Sequence, residues 1–228
     1  MALRLPQLQP LQQQLQQLSE LRRQIDQLAM TNAISAERYT ALITAMIALN
    51  HQLEVDVQHR EMARQLATLN QFIEMKERAG RERAILGLAF SRNSFTPELL
   101  TRFTNNLGAF NAYEENFLKA LTPAQLQRVR ALQQDPSFAE VSRLQQLAFT
   151  VPLGEALGVD DGAWFDIASR RINQLTTYER ELSAEIAAQA KVLAAQARQS
   201  LVMLALVILL ALTAVGILTV LIARNIRL

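Results

Sequence analysis

Cysteine is absent from the 228 residues, which rules out a disulfide framework, a thiol nucleophile and a thiolate metal site. Histidine is almost as scarce. His51 and His59 are eight residues apart, not the four that places two ligands on one helical face, and no acidic set frames them, so no metal is expected. Gly80, Gly87 and Gly108 lie inside helical patterns, so there is no glycine-rich phosphate loop. Ser91, Ser94 and Ser142 have no paired histidine, which leaves a hydrolase triad without support. Neither catalysis nor a cofactor is expected. Neither sign of charge dominates: the net charge is +2, and the basic residues are scattered rather than gathered in a stripe, which argues against a nucleic-acid partner. The opening MALRLPQLQPLQQQ lacks the apolar core of a signal peptide.

What is present is an apolar run, Leu201–Ala223, with no charged residue and with Arg224 and Arg227 directly after it. About twenty apolar residues cover the roughly 30 Å hydrocarbon core, so the run is long enough to span a membrane, and the two arginines carry the usual inside signal. The organisation expected is residues 1–199 as an extramembrane domain, 200–223 as the span and 224–228 as the start of a cytoplasmic linker. With no signal peptide in front, this arrangement calls for a first span preceding the chain or for a tail anchor.

Six prolines leave long stretches without a breaker. Thr96-Pro97, Thr122-Pro123 with Gln125, and Asp135-Pro136 read as helix starts, each an N-cap before a first-turn proline. Asp161 is the expected cap of the last helix. Helices are predicted over 7–50, 55–92, 97–120, 123–134, 136–149 and 162–223, the last unbroken into the apolar run. The fold class is therefore all-α, an antiparallel bundle or bundles with long first and last helices. A heptad seam runs through Leu8, Leu11, Leu15, Leu18, Arg22, Ile25, Ala29, Asn32, Ala36, Tyr39, Ile43, Met46, Asn50 and Leu53. It predicts a partner helix and fits a parallel homodimer.

Three helices carry cations on apolar faces. Arg22 interrupts the seam. Lys76 and Arg83 share a face with Phe72, Ala79, Leu86 and Phe90, beside the small Gly80 and Gly87 that leave room for close approach. Arg171 shares one with Trp164, Ala168, Leu175 and Leu182. A cation buried alone is costly, so each needs an acidic partner (Asp26, Glu77, Glu82 and Glu179 are within reach) or a bound anion. Guanidinium suits a small planar oxyanion, because its fork offers parallel donors.

The string KERAGRERA, Lys76 to Ala84, resembles the signature of the nitrate- and nitrite-sensing domain of bacterial receptors. Leu18 and Leu21-Arg22, Tyr39-Thr40 with Ile43, and Trp164 with Arg171-Ile172 follow in that family's order. The resemblance implies a helical periplasmic domain anchored in the inner membrane, with nitrate or nitrite held between helices by arginines. Carried over, Arg22 and Arg171 are the first ligand contacts, Arg23 an added donor, and Lys76 and Arg83 either ligand contacts or salt-bridge partners. Trp164 is expected as a core anchor. The function this implies is the sensor region of a transmembrane signalling receptor, in which anion binding shifts the last helix across the membrane. The competing expectation is a membrane-anchored oligomerisation scaffold without a small-molecule ligand. Carboxylates bonded to each cation would favour the scaffold. Guanidinium groups clustered on an empty polar pocket would favour the sensor.

Overall fold

The computed structural model describes residues 16, 18–27, 32–56 and 59–226, and all regular structure among them is helical. The helices are α1 (Leu18–Asp26), α2 (Asn32–Asp56), α3 (Arg60–Ser91), α4 (Pro97–Ala120), α5 (Pro123–Leu132), α6 (Pro136–Thr150) and α7 (Asp161–Ile226). The all-α bundle read from the sequence is what is found. Residues up to 183 belong to one compact unit and 184–228 to another.

The proline-marked starts form as the chemistry dictates. The Leu99 N–H donates to the Thr96 hydroxyl at 3.2 Å, and Asp135 accepts from the Ser137 N–H at 2.9 Å. Thr122 and Gln125 form a reciprocal capping box. Each such cap stabilises its helix by about 1 kcal/mol, because it satisfies a backbone donor that has no partner within the helix. The start of α7 differs from expectation by one residue. Asp160, not Asp161, accepts from the Ala163 N–H, at 2.7 Å, since a cap must stand just outside the first turn.

The long first helix is found as α1 and α2, with residues 28–31 between them outside the described set. Leu8, Leu11, Leu15 and Ala29 of the seam also lie outside the described residues. Within α1 and α2 the buried apolar residues are Leu21, Leu42 and Ile47, whereas the seam residues Arg22 and Met46 are exposed. Apolar side chains are spread around α2 (Ile34, Leu42, Ile43, Met46, Ile47), so a seven-residue pattern alone does not single out the face that packs.

The core is drawn from α3, α4, α6 and the first turns of α7. Leu86, Phe103, Val141, Leu144 and Trp164 are its best-buried large side chains. Burying each contributes about 1.5–3 kcal/mol. Trp164 stands edge-on to Phe90 at 5.4 Å and donates its indole N–H to the Arg83 carbonyl at 2.9 Å, tying α7 to α3. A second aromatic group, Phe72, Phe117 and Tyr178, joins α3, α4 and α7. Between α6 and α7 the chain is pinned to the end of α3 by Asn93. Its side-chain oxygen accepts from the Gly158 N–H at 2.8 Å, and its φ of 54° is one asparagine tolerates well.

The glycines of α3 do not serve close approach. A Cβ at Gly80 would meet nothing within 4 Å, and one at Gly87 would make ordinary contact with the Trp164 indole at 3.7 Å. Glycine inside a helix costs about 0.5–1 kcal/mol relative to alanine. Gly80→Ala is therefore expected to raise the unfolding free energy of the chain by about that amount in a denaturant titration. A loss of stability would show that a partner occupies the space beside Gly80.

Candidate functional site

Arg171 is the best-buried cation among the described residues, at 4% exposure, and Glu82 opposite it is at 1%. The Arg171 Nη2 donates to Glu82 Oε2 at 2.6 Å, and the Gln145 side-chain amide donates to the other oxygen, Oε1, at 2.5 Å. Phe110 lies under the guanidinium, 5.5 Å from ring centre to Cζ. The Arg171 Nε–H is buried without a hydrogen-bond partner. Such a donor is costly to leave unmet, and the same residue lines a cavity.

That cavity has a volume of about 390 Å³ and is lined by residues of α3, α4, α5, α6 and α7. Phe72, Phe110, Phe117 and Phe138 provide much of its apolar wall. Its polar wall is Asn111, Glu114, Gln133, Ser142, Gln145 and Arg171. Gln133, just past the end of α5, donates to Glu114 Oε1 at 3.2 Å. Burial pushes the Glu114 carboxyl above its usual range, against the opposing pull of the Arg171 charge and the Gln133 hydrogen bond.

The five cations singled out from the sequence are not brought to one place. Arg171 alone among them lines the cavity. Lys76 forms an ion pair with Glu179. Arg83 donates to the Ser169 hydroxyl at 2.8 Å and lies over the Phe165 ring at 4.7 Å. Arg22 and Arg23 are exposed on α1. Arg23 pairs with Glu20 at 2.6 Å, and its hydrogen bond holds that carboxyl down at about 2. Carboxylates thus pair with Lys76 and Arg171, and one of the candidate guanidinium groups, rather than a cluster of them, borders the cavity.

Glu114, Asn111, Gln133 and Gln145 did not stand out in the sequence. For Glu114 a signal was available: Phe110, Glu114 and Phe117 share one face of α4, so an acid interrupts an apolar row just as Arg171 does on α7. Gln133 and Gln145 gave none, since glutamines on or beside short helices are ordinary.

A buried guanidinium beside an amide-lined cavity, inside a bundle of helices, is the make-up of a helical ligand-sensing domain. Residues 3–187 match the profile described as nitrate and nitrite sensing, and the chain belongs to that family. A nitrate regulatory protein of Klebsiella oxytoca is 24% identical over 172 residues, which are 75% of this chain and 43% of that protein. The solved structure of the NasR transcription antiterminator has the same fold, with a TM-score of 0.70 and 23% identity, over 82% of this chain and 50% of its own. This chain thus spans half or less of the length of these relatives.

These findings correct the reading of the chain as the sensor region of a transmembrane receptor. The relatives are named as a regulatory protein and a transcription antiterminator, neither of them a receptor. A scaffold without a small-molecule ligand fits the family no better. The expectation of no nucleic-acid partner, drawn from the scattered basic charge, runs against the name of one relative, a transcription antiterminator.

Removing one partner of a buried ion pair leaves the other charge stranded, at a cost of roughly 3–5 kcal/mol. Glu82→Ala should therefore destabilise the chain by about that much, read by denaturant unfolding with Trp164, the sole tryptophan, as reporter. Glu20→Ala, which breaks only an exposed pair, should leave the midpoint nearly unchanged. Equal effects would overturn the central place given to Glu82.

Proposed function

We propose that this chain is the nitrate- or nitrite-responsive part of a regulatory protein and that the oxyanion is held at Arg171, in the cavity of the bundle. The observation that carries this reading is the buried Arg171 guanidinium bordering that cavity with its Nε–H unpartnered. A planar oxyanion has two or three oxygens to satisfy. Arg171 borders the cavity as a guanidinium held in place by Glu82, and Asn111 and Gln133 offer neutral donors from α4 and the end of α5. The anion would adjust how α4, α5 and α6 close on α7. A ligand biases such an arrangement only through its better fit to one form. Control of transcription, the role in the name of one relative, is the kind of output proposed.

Arg171 also holds Glu82, so alanine at this position would confuse folding with binding. Arg171→Lys keeps the charge for Glu82 but loses the fork. Calorimetric titration of the full chain in detergent with sodium nitrate and sodium nitrite should show saturable binding. Arg171→Lys should weaken it by tenfold or more while the melting temperature stays within a few degrees. Equal affinity of the two proteins would remove Arg171 from the site, and no binding of either anion would refute the proposal.

The apolar stretch of α7 supports a second element of the reading. Residues 201–217 are exposed throughout, and α7 is the one helix among the described residues long and apolar enough to cross a membrane. We take this stretch to lie in a lipid bilayer, which would remove the cost of presenting so much apolar surface to water. The chain should then stay in the membrane fraction through alkaline carbonate and high-salt washes. Release by salt alone would rule out an embedded helix.

A further inference from the structure

The charged groups bordering the cavity are Arg171 of α7 and Glu114 of α4, with Glu82 of α3 behind Arg171. From α5 and α6 the described wall residues are uncharged: Val129, Leu132, Ser142 and Gln145 among them. Arg171 is already matched by Glu82, whose second oxygen is taken by Gln145. The charge available to attract an anion is therefore nil before Glu114 is counted. With Glu114 ionised the cavity carries one surplus negative charge, and an entering anion would make it two, in surroundings that screen poorly.

A proton on Glu114 removes this conflict and does more. An ionised carboxylate only accepts hydrogen bonds, whereas a carboxylic acid also donates one. The neutral group adds an O–H donor to the same wall as Arg171, and Gln133, now directed at Glu114 Oε1, becomes available to a second acceptor. Burial already disfavours the charged carboxylate in the empty cavity.

Building on the proposed site, we infer that Glu114 is the second ligand of the anion and takes up a proton when the anion binds. Nitrate affinity then depends on pH. An anion near Glu114 favours its neutral form, so the carboxyl pKa of the occupied site lies above that of the empty one. Between these two values affinity falls by up to about tenfold per pH unit as pH rises, and outside them it is flat. The residue makes the site respond to acidity and oxyanion together. It also disfavours anions whose surface cannot accept from a carboxylic acid.

The test is calorimetric titration of the full detergent-solubilised chain with sodium nitrate between pH 5 and 8, against sodium chloride, in two buffers of different ionisation enthalpy. For the wild type we expect binding that tightens as pH falls, with up to one proton taken up. Glu114→Gln keeps the shape and the neutral character, and should bind nitrate as tightly at pH 8 as the wild type does at acid pH, with no proton uptake. Nitrate binding by the wild type that is flat with pH and free of proton uptake overturns this inference and leaves the Arg171 site standing. Absence of nitrate binding in both proteins at every pH overturns both. If Glu114→Gln fails to fold, the wild-type buffer comparison still decides.

Discussion

The contact between Arg171 and Glu82 is the constraint around which the bundle is arranged. A carboxylate at 1% exposure cannot be left to solvent or to apolar neighbours, so α3 and α7 must meet at this one register. Gln145 completes the shell of Glu82 and thereby fixes α6 against the same point. Above it, Trp164 bonds the Arg83 carbonyl, and Lys76 meets Glu179 below, so α7 is indexed along α3 at three levels. Apolar packing supplies most of the favourable free energy. The polar contacts select which of several packed arrangements is adopted.

The cavity follows from that arrangement. Once Arg171 is committed to Glu82 on one side, it and Glu114 border a space lined by four phenylalanines, aliphatic side chains and amides. A guanidinium so held has lost its freedom before any ligand arrives, which reduces the ordering cost of binding. The same commitment limits its pull on anions, which is why the state of Glu114 matters to the whole site.

Much of this was legible in the sequence where one physical rule acts locally. Threonine or aspartate before proline set the starts of α4, α5 and α6, because caps depend only on neighbouring residues. The face Trp164, Ala168, Arg171, Leu175 and Leu182 is buried as its spacing predicts. Glu82 and Glu179 were among the candidate partners for the cations, but nothing local says which carboxylate meets which cation across about a hundred residues. The cavity was not legible either, since it is formed by side chains from five helices. The seam of the first helix carries less information than its length suggests, because α2 has apolar residues on several sides and periodicity needs contrast.

Glu82 and its cation are separated by 89 positions along the chain. As the polypeptide is synthesised, α3 emerges long before Arg171 exists, and Glu82 must wait in water, as must the pocket that later receives Trp164. Closing so distant a pair costs chain entropy before any contact rewards it, a cost that grows only slowly with the length of the intervening chain. The bundle can mature only after α7 has been made, at the time when the apolar stretch that follows Arg171 in the same helix is itself seeking cover. Assembly of the sensing core and disposal of that stretch are therefore adjacent events in the life of the nascent chain.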